Sequence, residues 1–130
     1  MPHIILEYSA NIEQHVDFPT LFSTIHKSVS DIGNVKIGNL KSRARKVEDF
    51  CVSDGEADQA FVHLEFRLLA GRTKVIKQQL GHQLLTLLEA AYASSLDSLR
   101  LQITVEIIDI DPNYYFKIPK GTLSVPDNIV

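Results

Sequence analysis

The sequence has little that would suit secretion, nucleic acid or membranes. It has no tryptophan and one cysteine, Cys51, which cannot form an internal disulfide and is typical of a reducing cytoplasm. The formal net charge of −3 provides no general attraction to nucleic acid or to anionic lipid. No apolar run could cross a bilayer, and no basic-then-apolar leader opens the chain. We therefore expect a cytoplasmic protein with neither nucleic acid nor membrane as partner.

Several motifs that carry chemistry are also missing. The five histidines have none of the spacings of metal ligands, and we expect no metal site. His3 and His63 lie in predicted strands and are interpreted as hydrogen-bonded structural residues. The chain has no phosphate-binding glycine loop and no nucleophile elbow, and Cys51 has no evident group to stabilise a thiolate. Metal, phosphate and nucleophile chemistry therefore have no support in the motifs.

Two similar stretches divide the chain into two units. Ile5-Leu6-Glu7-Tyr8 recurs 58 residues later as His63-Leu64-Glu65-Phe66. Each stretch ends an apolar strand pattern and leads through an amphipathic helix into another strand. We expect a single domain over residues 1–130, with pseudo-repeats over roughly 2–57 and 58–111 and a tail over 112–130.

The helix signals predict how each unit folds. Asp17 and Pro19 are start signals and Gly33 is a stop signal for the first helix, and Thr73 is the expected N-cap of the second. A strand–helix–strand unit makes its two strands parallel and places the helix on one face. Two such units predict an α/β (α+β) fold, a four-stranded mixed sheet with two helices on one face.

The other face of this sheet would be left uncovered. We expect its apolar content to be covered by another subunit, because a large exposed apolar patch is unusual in a monomer. A homo-oligomer follows, although the pattern does not give the number of subunits. The tail carries Tyr114, Tyr115 and Phe116, which are too aromatic for a free linker. We expect it to lie over its own or a neighbouring subunit.

The second residue is a proline directly after the initiator methionine. If Met1 is removed, as is usual before a small residue, Pro2 becomes a secondary amine. An α-amino group titrates at about pH 8, and desolvation or nearby cations lower its pKa, which suits a general base near neutral pH. Because Met-Pro openings usually have no functional meaning, other residues must decide between the two interpretations.

A basic strand accompanies this proline. Lys41, Arg43 and Arg45 alternate and therefore lie on one face. The 58-residue offset gives their counterparts as Leu99, Leu101 and Ile103. Lysine and arginine commonly protect a sheet edge, whereas the planar fork of arginine also suits a carboxylate clamp. Both interpretations stay open at this point.

Arg72 follows a turn glycine, Gly71, at the start of the second predicted helix. Free backbone N–H groups and the positive end of the helix dipole would favour an anion at this joint. The simpler interpretation is a surface arginine beside a turn.

The terminal proline, the doubled unit and the Gly-Arg joint together resemble the tautomerase superfamily, and within it the 5-carboxymethyl-2-hydroxymuconate delta-isomerase family. The matching stretches are residues 2–9, 37–47, 60–63, 70–72 and 113–117. The resemblance implies a cofactor-independent isomerase that assembles as trimers. In such an enzyme Pro2 takes a proton from a dienol and returns it at a distant carbon. The implied substrate is a small muconate-type polycarboxylate from homoprotocatechuate degradation.

The resemblance also implies roles for particular residues. Pro2 would be the catalytic base, and the substrate-binding residues would be Lys41, Arg43, Arg72 and Phe116. Lys41 stands where the family is expected to have arginine, so the charge is kept and the bidentate fork is lost. Two alternatives therefore stay open: the same fold acting on another 2-keto or acrylate substrate, and a non-catalytic trimeric ligand-binding protein. A retained Met1 would favour the second, because the Pro2 nitrogen would then be an amide.

Overall fold

The computed structural model describes residues 2–119 of the chain. Its elements are β1 (His3–Ser9), α1 (Phe18–Gly33), β2 (Lys41–Val47), β3 (Gln59–Leu69), α2 (Lys74–Ala91), α3 (Ala93–Ser98) and β4 (Arg100–Ile110). Single 3₁₀ turns occupy Ile37–Asn39 and Pro112–Tyr114. No helix within residues 2–119 has the length and apolar character needed to cross a lipid bilayer. The predicted tail from residue 120 onward lies outside the described residues.

The strands form one mixed sheet in the order β2-β1-β3-β4. β1 is parallel to β2 and β3 is parallel to β4, whereas β1 and β3 are antiparallel. Alternate strand residues such as Leu6 and Leu64 pack in one core with Ile25 of α1 and Leu84 of α2. This confirms the predicted four-stranded mixed sheet with two helices on one face.

The predicted helix boundaries have clear local causes. The Asp17 carboxylate and the Thr73 hydroxyl each accept a backbone N–H from the first turn, at 3.3 Å. α1 ends at Gly33, and Asn34 follows in the left-handed region with φ 53°. A Cβ on Gly33 would lie 3.3 Å from Leu80 Cδ1. The glycine therefore allows α1 and α2 to approach closely.

The face of the sheet without helices carries both polar and apolar residues, and the polar ones are the majority. Because side chains alternate along a strand, the core-forming residues take the helix side and their neighbours take the other. The register places these polar residues on the helix-free face: His3, Glu7, Ser9, Lys41, Arg43, Arg45, His63, Glu65, Arg67, Gln102, Thr104 and Glu106. The apolar residues of the same face are Ile5, Val47, Phe61, Leu69, Ile108 and Ile110. Apolar residues are therefore present on this face but do not dominate it, and its cover by another subunit stays a prediction.

The basic strand has different counterparts from those predicted by the 58-residue offset. Glu7 pairs with Arg45, whereas Glu65 pairs with Glu106. The second unit has a longer α-helix and the additional helix α3 before its last strand, which shifts that strand by three residues. An odd shift moves every side chain to the opposite face. The counterparts on the helix-free face are therefore Gln102, Thr104 and Glu106.

Tyr92 provides a test of the core, because it is only 1% exposed and its hydroxyl has no hydrogen-bond partner within residues 2–119. Burial raises the pKa of this hydroxyl, so it stays neutral. We expect Tyr92→Phe to keep the free energy of unfolding or raise it by up to about 1 kcal/mol, since the desolvated hydroxyl is removed. The control Leu84→Ala should lower it by about 2–5 kcal/mol. Urea unfolding measures both, and a clear loss for Tyr92→Phe would contradict the expectation.

Candidate active site

Most of the predicted site residues lie at one end of the sheet. β1 begins there, and its first residue, His3, lies beside Lys41 of β2 and opposite Arg67 of β3. Because β4 runs parallel to β3, its last residue, Ile110, lies at the same end. The segment that contains Arg72 follows directly after β3. The topology therefore brings the start of the chain next to segments distant in sequence.

Pro2 is buried at this end, immediately before β1. Its carbonyl oxygen accepts a hydrogen bond from the backbone N–H of Lys41 at 3.3 Å. The Lys41 side chain is exposed, and its ammonium donates to the Asn39 carbonyl at 3.0 Å. Pro2 and the first cation of the basic strand are therefore adjacent through the backbone.

A cavity of about 400 Å³ opens on the helix-free face at the same end. Its wall includes the side chains of His3, Arg43, Arg67, Ile110 and Tyr115. The volume suits a small molecule. Pro2 and Lys41 do not line the cavity, although His3 follows Pro2 directly. Of the predicted substrate-binding residues, Arg43 is the one that lines this cavity.

His3 joins Arg43 to Tyr115 in the cavity wall. The Arg43 guanidinium donates to His3 Nδ1 at 2.9 Å, and His3 Nε2 lies 2.8 Å from the Tyr115 hydroxyl oxygen. Burial, together with the charges of Arg43 and Lys41, lowers the pKa of His3. The imidazole is therefore neutral at pH 7. Its two hydrogen bonds agree with the predicted hydrogen-bonded role.

Arg72 holds the end of α1 against the end of β3. Its guanidinium donates to the carbonyl oxygens of Gly33 at 3.0 Å, Asn34 at 3.3 Å and Leu69 at 3.4 Å. Gly33 and Asn34 lie at the C-terminus of α1, where the helix dipole favours a cation. Arg72 therefore has a structural role, and its predicted role in substrate binding would be additional.

The tail brings Tyr115 to the cavity and leaves Phe116 outside it. Tyr115 packs against Leu69 and Ile110, whereas the Phe116 side chain is 86% exposed. The aromatic run indicated a packed tail, but extended residues alternate in direction, and the sequence does not show which of them faces inward. Arg67 was also missed. Its alternation with His63 and Glu65 along β3 was the available signal.

Comparison with known proteins gives a consistent result. The chain matches the model of the family described as 5-carboxymethyl-2-hydroxymuconate isomerase over residues 2–120. It is 32% identical over 117 residues to the 5-carboxymethyl-2-hydroxymuconate Delta-isomerase of Escherichia coli, which spans 90% of this chain and 93% of that protein.

Solved structures show the same fold. A 5-carboxymethyl-2-hydroxymuconate isomerase from Deinococcus radiodurans R1 has a TM-score of 0.82 at 25% identity, with 94% of this chain and 90% of that chain covered. A fused 4-OT wild type symmetric trimer has a TM-score of 0.72 at 15% identity, with 97% and 98% covered.

The sheet topology and these similarities define an isomerase of the tautomerase superfamily. Within that class, the chain belongs to the 5-carboxymethyl-2-hydroxymuconate isomerase family. The resemblance identified from the sequence is therefore confirmed at the level of the family and the fold.

The structural role of Arg72 can be tested with a variant that keeps its charge. We expect Arg72→Lys to lower the free energy of unfolding by about 1–3 kcal/mol, because an ammonium cannot reproduce the planar fork that reaches three carbonyl groups. Arg45→Lys, on the exposed part of β2, is the matched control and should change little. Urea unfolding measures both variants. Equal stability of the two would contradict the structural role.

His3 predicts a pH dependence of stability. Its pKa is below 6.5 in the folded protein, so the unfolded chain takes up a proton first as the pH falls. The stability that His3 contributes is present above pH 6.5 and is lost as the pH falls through the folded pKa. We therefore expect the wild type to lose stability more steeply than His3→Asn between about pH 7 and pH 5.

Urea unfolding at several pH values measures this slope. His82→Asn, which changes an exposed histidine of α2, is the control and should keep the wild-type slope. A His3→Asn variant with an unchanged slope would argue against the expectation.

Proposed function

We propose that this isomerase moves a proton within 5-carboxymethyl-2-hydroxymuconate, a 2-hydroxy tricarboxylate, or within a similar unsaturated dicarboxylate, without a cofactor and with Pro2 as the base. The observation that carries the proposal is the position of Pro2, buried at the sheet end where the basic strand begins and the cavity opens. The related Escherichia coli protein, a 5-carboxymethyl-2-hydroxymuconate Delta-isomerase, supports the substrate class.

The reaction needs one group that acts first as base and then as acid. After Met1 is removed, the Pro2 nitrogen takes the proton of the 2-hydroxyl group, and the C–O bond becomes a carbonyl as the double bonds shift. The protonated nitrogen then returns the proton to the carbon at the far end of the diene. No atom is gained or lost. The charges of Lys41 and Arg43 would favour the neutral amine by like-charge repulsion.

The substrate-binding roles follow from where each side chain lies. Arg43 lines the cavity, and its guanidinium suits a carboxylate group. Lys41 would supply charge at the edge without bidentate geometry. Arg72 would bind the substrate from its position between β3 and α2. Phe116 is exposed in the single chain, so we propose that it contacts substrate bound to a neighbouring subunit.

We further propose that the protein is a homotrimer in the cytoplasm and acts in aromatic catabolism. One protein of the same fold is a symmetric trimer. Large apolar side chains at Tyr114, Phe116 and Ile118 are 79%, 86% and 93% exposed, which suits contact with another subunit. The single cysteine, Cys51, supports the location. Light scattering during size-exclusion chromatography measures the number of subunits.

Replacement of Pro2 tests the proposed base. We expect Pro2→Ala to lower kcat on 5-carboxymethyl-2-hydroxymuconate by about 10²-fold or more, because a secondary amine is replaced by a primary amine of different basicity and geometry. Pro19→Ala, at the exposed start of α1, is the matched control and should keep its activity. Intact mass must show that Met1 is absent from all three proteins.

Unchanged turnover by Pro2→Ala would refute Pro2 as the base. Full retention of Met1 in protein from the native host would instead favour a non-catalytic ligand-binding role. Because Lys41 departs from the expected arginine, the assay includes phenylpyruvate and a halogenated acrylate. A preference for these monocarboxylates would favour another tautomerase-fold reaction.

A further inference from the structure

The hydrogen-bond chain in the cavity wall determines the direction in which the Tyr115 hydroxyl donates. A guanidinium can only donate, so His3 Nδ1 accepts from Arg43 and the proton of the neutral imidazole is on Nε2. His3 Nε2–H therefore donates to the Tyr115 oxygen at 2.8 Å. The hydroxyl forms no other hydrogen bond within residues 2–119. Its own proton is consequently available to a ligand in the cavity that Tyr115 lines.

Two arginines of the same cavity lie on opposite sides of β1. Arg43 is beside Ile5 on β2, and Arg67 is opposite His3 on β3. Both side chains project from the helix-free face and line the cavity. Arg67 is exposed and makes no hydrogen bond or ion pair within the described part of the chain. The two guanidinium groups therefore make this wall positive.

The two carboxylates of the cavity have partners other than Arg43 and Arg67. Asp109 forms an ion pair with Lys77 of α2 at 3.2 Å. Asp111 accepts the backbone N–H of Asn113 at 2.9 Å. Among the described residues, neither acid forms an ion pair with Arg43 or Arg67, so both guanidinium groups stay available for an anion.

We propose that this cavity is a carboxylate subsite, in which Arg43 and Arg67 bind one carboxylate group and the Tyr115 hydroxyl donates a hydrogen bond to it. His3 is the positioning residue, because it directs the Tyr115 proton into the cavity. The subsite rests on the proposed function in one respect: its occupant is a carboxylate of the same unsaturated substrate, remote from the hydroxyl oxygen and the carbon between which the proton moves. It would make the enzyme selective for dicarboxylates over monocarboxylates of equal length.

Binding of an unreactive pair of ligands tests the subsite without turnover. Adipate has two carboxylates and no enol, and hexanoate has the same chain length with one carboxylate. Isothermal titration calorimetry on the purified full-length protein should show that the wild type binds adipate about tenfold or more tightly than hexanoate. Tyr115→Phe and Arg67→Gln should each lose most of this ratio, and His3→Leu should lower it.

Control variants separate the subsite from a general change in the protein. Tyr8→Phe, on the helix-covered face, and Lys46→Gln, at the opposite end of the sheet, should keep the wild-type ratio. Pro2→Ala should also keep it, because the proposed base is not part of the subsite. A Tyr115→Phe or Arg67→Gln variant that keeps the ratio would overturn the proposal, as would a wild type that binds both ligands equally.

These outcomes are independent of the proposed reaction. Loss of turnover in Pro2→Ala with an unchanged adipate ratio supports both proposals. The ratio of adipate to hexanoate affinity could instead depend on Tyr115 and Arg67 in a protein whose turnover does not need Pro2. That result would support the subsite and refute Pro2 as the base.

Discussion

The antiparallel pairing of β1 with β3 is the contact on which the site depends. Each unit by itself is a strand–helix–strand with two parallel strands, and neither contains a complete site. Antiparallel pairing places the start of the first unit beside the end of the second, so that His3 lies opposite Arg67 and near Tyr115. A parallel arrangement of β1 and β3 would put the start of β1 at the other end of β3 and separate these groups.

The two faces of the sheet differ in composition and in role. One face packs against both helices and contains the apolar core that stabilises the domain. The other face carries charged and polar residues, with Lys41, Arg43 and Arg45 on its β2 edge. Because strand side chains alternate strictly, stability and chemistry can use the same strands without competing for positions. His3 shows this separation, since it lies between the buried residues Pro2 and Ile4 and faces the cavity.

Much of the fold could be predicted from the sequence because its signals are local. The caps at Asp17 and Thr73 and the alternation along the strands need only neighbouring residues to be understood. The repeat offset failed for β4, because it ignored the extra residues of the second helical connection. How polar and apolar residues are shared by the uncovered face also depends on the register of all four strands. Both points concern how local elements are placed in relation to each other.

Some features of the candidate site could likewise be predicted from local sequence, whereas others could not. The residues alone were sufficient to recognise the family, to single out Pro2 and to place Arg43 on one face with its basic neighbours. The folded chain was needed to show that Arg72 holds the end of α1 and that Tyr115, rather than Phe116, lines the cavity. Local periodicity shows which side of its own strand a residue occupies. Which distant groups meet there depends on strand order and register, and these are properties of the assembled sheet.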